Sequence, residues 1–136
     1  MRARLLVVDD EQEIRDMLSR HYRFADYDVV TAADGDEALA VMDDRKIDIV
    51  ISDIMMPGMD GIQLLRSVRP LYPMVHTIMI TGHVSQENIL ACMRHGADSC
   101  VFKPLDDLSE LDRCVTDAVT AIERWKQKLR ELHETI

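Results

Sequence analysis

Leu5-Leu6-Val7-Val8-Asp9-Asp10 is the stretch on which the fold turns: four consecutive apolar residues broken off by two carboxylates. An apolar run without polar alternation fits a strand buried on both faces, as in a parallel sheet covered by helices on each side. Four more short runs follow at near-even spacing, Tyr27 to Thr31, Ile47 to Ile51, Thr77 to Ile80 and Ser99 to Phe102. Between them apolar residues recur at helical spacing, as in Ile14, Met17, Leu18 and Tyr22, then Ala38, Leu39, Val41 and Met42. A third helix is carried by Ile62, Leu64, Leu65 and Val68 and is expected to stop at Pro70; a fourth, with Val84, Ile89, Leu90 and Met93, closes at Gly96. A fifth is expected to begin just past Pro104. Strict strand-helix alternation predicts an α/β protein with a three-layer (βα)5 arrangement around a doubly wound parallel sheet.

The chain has 136 residues, 47% hydrophobic and 30% charged, which suits one globular domain and leaves no room for a second output domain. Sixteen Lys+Arg against 25 Asp+Glu give a net charge of -9, which repels nucleic-acid phosphates and anionic membranes and points to proteins or cations as partners. Cys92, Cys100 and Cys114 form no C-x-x-C pair and come without a signal peptide, so a disulfide framework is not expected and the cytoplasm is the default compartment. No apolar run approaches the ~20 residues that cross a bilayer.

The last helix departs from plain amphipathicity. Leu108, Leu111, Val115, Ala118, Ile122, Trp125, Leu129, Leu132 and Ile136 are spaced alternately by three and four, an uninterrupted heptad seam with charged residues between. Covering the sheet needs about four turns, roughly to Ile122. Residues 1–121 are therefore expected to form the domain and 122–136 a helical extension, either a connector or a coiled-coil stub; the plainer alternative is a long surface helix with a frayed end. Weak self-association through the seam is the expectation.

In doubly wound sheets, reacting groups collect outside the carboxyl ends of the strands. The residues there are Asp9 and Asp10 after the first strand, Asp53 after the third, Thr81 and Gly82 after the fourth, and Lys103 followed by Pro104 after the fifth. Crowded carboxylates resist joint ionisation unless a cation sits among them, and an all-oxygen donor set favours Mg2+, with Mn2+ an alternative. Lys103 and Thr81 suit phosphoryl oxygens, and a carboxylate beside a metal can itself accept the phosphoryl group as an acyl phosphate. Asp53, on the central strand, is best placed to be the acceptor. Taken alone, Asp10 ahead of Glu11 and Glu13 is equally suited to capping the first helix. His21, His76, His83, His95 and His133 show no metal-ligand spacing.

Leu6-Val7-Val8-Asp9-Asp10, the segment Asp53-Ile54-Met55-Met56-Pro57-Gly58-Met59-Asp60-Gly61, Thr81-Gly82 and Lys103-Pro104 occur in order at a spacing that resembles the receiver domain of two-component response regulators, over residues 3 to 121. The resemblance implies a flavodoxin-like sheet of strand order 2-1-3-4-5. It implies phosphorylation of Asp53 by the phosphohistidine of a sensor histidine kinase or phosphotransfer protein, with Mg2+ bound directly by Asp10 and Asp53, by Asp9 through water, and by the backbone carbonyl of Met55. Thr81 and Lys103 would engage the phosphoryl group, the Lys103-Pro104 bond would be cis, and the face of the fourth helix, fifth strand and fifth helix would switch.

One position departs from that pattern. Cys100 stands three residues before the lysine, where relatives usually carry an aromatic; Phe102, two residues on, shares its strand face and is the candidate to stand in for that aromatic in part, although an ordinary packing role is the expectation for it. The rival function is a Mg2+-dependent aspartyl-phosphate phosphohydrolase. Such enzymes place a second acid two residues past the nucleophile, where Met55 stands.

Overall fold

The computed structural model describes residues 2–135. Five strands and five helices alternate: β1 (Arg4–Val8), α1 (Gln12–Phe24), β2 (Asp28–Ala32), α2 (Gly35–Asp44), β3 (Ile49–Asp53), α3 (Gly61–Leu71), β4 (His76–Thr81), α4 (Gln86–Arg94), β5 (Ser99–Phe102) and α5 (Ser109–Thr135). All strand pairs are parallel, in the order β2-β1-β3-β4-β5, as the resemblance implied.

Each apolar run feeds both faces of the sheet. Leu5, Val7, Ile49, Ile51, Ile78 and Ile80 pack against Leu18 and Tyr22 of α1 and Leu111, Val115 and Ala118 of α5. Leu6, Val8 and Val50 meet Ala38 and Met42 of α2 and Leu64 and Val68 of α3 on the other side. Side chains of this size stabilise the fold by about 1.5–3 kcal/mol each when fully buried, which is why the runs lack polar alternation.

Local chemistry sets the helix ends. Asp60 and Gln63 exchange side-chain and backbone hydrogen bonds at the start of α3, a capping box. Gly96, with a φ of 83°, takes up the left-handed turn that ends α4.

Three expectations are corrected. Pro70 does not stop α3; it lies in the last turn, where the missing N–H forfeits one bond, and the helix ends at Leu71. The last helix begins at Ser109 rather than just past Pro104, because Leu105 anchors a turn in the core and Asp107 accepts the Ser109 amide and hydroxyl, so Leu108 precedes the helix. Phe102 does not pack in the core: it ends the edge strand β5 with 48% of its surface exposed. The seam otherwise runs as read, with Leu111, Val115 and Ala118 buried and Trp125, Leu129 and Leu132 exposed; Ile136, its last member, lies outside the described residues. No helix among the described residues is long and apolar enough to cross a membrane.

Candidate functional site

Parallel register brings the polar residues after β1, β3, β4 and β5 to one end of the sheet. Asp53 closes β3 opposite Ile80, Thr81 closes β4 opposite Phe102, and the Lys103 amide still donates to the Thr81 carbonyl at 2.8 Å. From there the Lys103 ammonium reaches across the sheet end. Its Nζ lies 3.0 Å from Asp9 Oδ2, 3.1 Å from Asp53 Oδ2 and 3.7 Å from Glu11 Oε1. The Lys103-Pro104 bond is cis.

Asp9, Asp10 and Asp53 each present a carboxylate oxygen within 4.8 Å of the others. Asp9 and Asp53 are buried and Asp10 is exposed. Asp10 does not cap α1: the N-cap is Glu11, whose side chain makes no capping bond, and its amide donates instead to Asp9 Oδ1 at 2.9 Å. Thr81 is buried at the same end, with its Oγ1 accepting the His83 amide at 2.9 Å. Met55 follows on the loop, its amide 3.4 Å from Asp53 Oδ1 and its side chain 47% exposed.

Burial pushes the Asp53 carboxyl above the usual carboxylate range, the neighbouring Asp9 charge adds to this, and Lys103 and the Met55 amide partly offset it. Asp9 is raised for the same first reason, with the Glu11 amide and Lys103 opposing. Burial pulls Lys103 down, but its close pairing with the Asp9 carboxylate and its hydrogen bond and charge pairing with Asp53 outweigh that, so its net shift is upward. Three carboxylates against one ammonium leave a pocket with surplus negative charge and only oxygen donors. Asp9 Oδ2 makes no aligned hydrogen bond although the ammonium is close. A hard divalent cation fits that donor set.

Two contributors were not singled out from sequence. Glu11 borders Lys103, and Arg15 Nη1 donates to the Asp9 carbonyl at 2.7 Å, holding the loop after β1. A cation near the start of a helix runs against the helix dipole, and that is the signal by which Arg15 could have been found.

Residues 5–116 match the family of response regulator receiver domains. The regulatory protein AtoC of Escherichia coli (strain K12) is 35% identical over 133 residues, covering 98% of this chain but 28% of its own length. The transcriptional regulatory protein GlrR of the same organism is 34% identical, covering 93% of this chain and 30% of its own length. The chain thus spans less than a third of these relatives. Among solved structures, a CheY-like receiver domain protein from Methanospirillum hungatei aligns over 100% of both chains with a TM-score of 0.75 and 30% identity. The response regulator TrrA from Thermotoga maritima, solved in complex with Mg2+-BeF, aligns over 85% of this chain and 98% of its own, with a TM-score of 0.77 and 32% identity.

Proposed function

The chain belongs to the response regulator receiver family of two-component signalling, and from that membership we propose that Asp53 accepts a phosphoryl group from the phosphohistidine of a sensor histidine kinase or a phosphotransfer protein. The observation that carries this reading is the convergence of Lys103 Nζ on Asp53 and Asp9, with Asp10 beside them. In the transfer the P–N bond of the donor breaks as a P–O bond forms to an Asp53 carboxylate oxygen, and the released imidazole takes up a proton. A carboxylate needs no base to activate it, so positioning and charge neutralisation suffice.

Asp10 and Asp53, with the Met55 backbone carbonyl and with Asp9 through water, would hold Mg2+ or Mn2+, which supplies charge neutralisation around the phosphoryl oxygens when bound. Lys103, already on Asp53 Oδ2, moves to a phosphoryl oxygen. The Thr81 hydroxyl turns from the His83 amide to do the same. The group adds about -1.5 to -2 charge units, and the pull on Thr81 and Lys103 biases the face formed by α4, β5 and α5. With Cys100 in the usual aromatic position, Phe102, exposed on that strand, serves as the moving aromatic. Residues 1–121 act as the receiver, in the cytoplasm, and 122–136 as a helical extension that self-associates weakly and passes the switch to an output.

The test is intact-mass analysis after incubation with acetyl phosphate and Mg2+. One phosphoryl addition is expected, absent in Asp53→Asn and after chelation. Labelling of Asp53→Asn to the extent of the parent overturns the assignment.

A further inference from the structure

The acidic pocket is assembled around the peptide bond between Asp9 and Asp10, and the two residues are held very differently. The Asp9 amide donates to the Ala32 carbonyl of β2 at 3.2 Å, and its carbonyl accepts Arg15 Nη1 at 2.7 Å. Its Oδ1 accepts the Glu11 amide at 2.9 Å, and its Oδ2 lies 3.0 Å from Lys103 Nζ. Asp10 is exposed, and no hydrogen bond or ion pair among the described residues ties its carboxylate. The backbone alone therefore directs it. A peptide unit is planar, so the Asp9 carbonyl, the Asp10 amide and the Asp10 Cα turn as one plate. Whatever grips that carbonyl aims the Asp10 side chain.

The grip comes from Arg15. The pairing of β1 with β3 ends at Val8 and Ser52, so the Asp9 carbonyl lies past the ladder and takes a side-chain donor. Arg15 sits half-buried in the first turn of α1, where its own amide donates to the Glu11 carbonyl at 3.2 Å while the guanidinium reaches back before the helix start. A cation there opposes the helix dipole, and Arg15 makes no ion pair with a carboxylate among the described residues. What offsets that cost is the bond to the Asp9 carbonyl, short as charge-assisted bonds are. Two roles for this guanidinium predict opposite signs. As a bare charge it repels an arriving cation, and removing it tightens cation binding. As a clamp it keeps a ligand oriented, and removing it weakens cation binding.

We propose that Arg15 is a positioning residue: by clamping the Asp9–Asp10 peptide it keeps the Asp10 carboxylate turned toward Asp9 and Asp53, where a divalent cation is held. The inference rests on the reading that Asp10 binds that cation directly. The full chain is titrated with Mn2+ alone, without phosphodonor, and the free ion is followed by electron paramagnetic resonance. Asp10→Asn, which locates the ion, should lose the binding. Arg15→Met keeps the apolar stem and removes only the guanidinium; it should bind Mn2+ about tenfold more weakly, with circular dichroism and urea midpoint close to the parent's. Arg15→Lys, which retains a donor, should recover most of the affinity. In the metal-free chain the Glu11 amide, bonded to Asp9 Oδ1, should exchange its hydrogen faster in Arg15→Met and not in Arg15→Lys. Unchanged or tighter Mn2+ binding in Arg15→Met overturns the proposal, as does Arg15→Lys binding no better than Arg15→Met. Parent-like binding in Asp10→Asn, or no binding by the parent, overturns it as well. Labelling by acetyl phosphate is scored separately. A parent that shows the Mn2+ pattern yet takes no phosphoryl group sinks the phosphoacceptor reading and leaves the clamp standing, whereas a labelled parent matched in affinity by Arg15→Met does the reverse.

Discussion

Gly61→Ala tests how tightly α3 is wedged under the end of β3. Gly61 opens α3, its amide donating to the Ile54 carbonyl at 2.8 Å. A Cβ at this position would lie 2.1 Å from the Asp53 carbonyl oxygen, 2.8 Å from Ile54 Cα and 2.9 Å from the Asp53 carbonyl carbon. Carbon and oxygen rest about 3.3 Å or more apart, so the strand end and the helix must separate by about 1 Å. Every crowded atom is main chain, and no rotamer change relieves the clash. Overpacking costs about 1–3 kcal/mol, here at the upper end, against a helix-propensity gain of at most about 1 kcal/mol. A net loss of about 2 kcal/mol should lower the urea midpoint by about 1 M. The same shift moves Asp53 relative to Lys103, and a misplacement near 1 Å slows a positioned reaction about a hundredfold, so phosphorylation by acetyl phosphate should fall by that order. Gly82→Ala, whose nearest contact is the Lys103 side chain at 3.8 Å, should be neutral in stability. Gly35→Ala, which meets the Met59 side chain at 2.7 Å, should fall between. If Gly61→Ala unfolds with Gly82→Ala and keeps the parent's phosphorylation rate, the wedge does not exist.

Three further outcomes are expected. Asp9 and Asp53 have folded-state pKa values raised mainly by burial, so their contribution to stability is fully present below about pH 4, the unfolded value, and is lost as pH rises through the folded values. Asp53→Asn should therefore be more stable than the parent at neutral pH without divalent cation, with the gap closing toward about pH 4; urea midpoints across that range check it, and an unchanging gap refutes it. Met55, apolar and half exposed beside Asp53, should shield the acyl phosphate from water, so Met55→Asn should lose phosphoryl label faster than the parent; equal lifetimes count against shielding. Any self-association of the chain in sedimentation should vanish on truncation after Ile122, because the exposed part of the seam lies beyond that residue; a dimer that survives truncation uses another face.

The fold was legible because the core of this sheet is built from uninterrupted runs, and because parallel register carries whatever follows each run to the same end. Asp53, Thr81 and Lys103 needed only that topology to be brought together. Features that rest on tertiary contact were not legible in the same way. The start of α5 depends on Leu105 finding the core, and Phe102 is exposed because β5 is an edge strand, a fact of strand order rather than of local spacing. Adjacent Asp9 and Asp10 show the limit most clearly. They are the same residue type one position apart, yet the Asp9 amide still donates to the Ala32 carbonyl, extending the strand pairing by one residue and turning its carboxylate inward to Lys103. The chain then bends, and Asp10 is left in solvent. Asp9 is thus already compensated by the ammonium, whereas Asp10 has no such partner among the described residues of the pocket and lies exposed. On the phosphoacceptor reading proposed above, that asymmetry suits Asp10 to bind an incoming cation directly and Asp9 to hold Lys103 in place until Asp53 is charged.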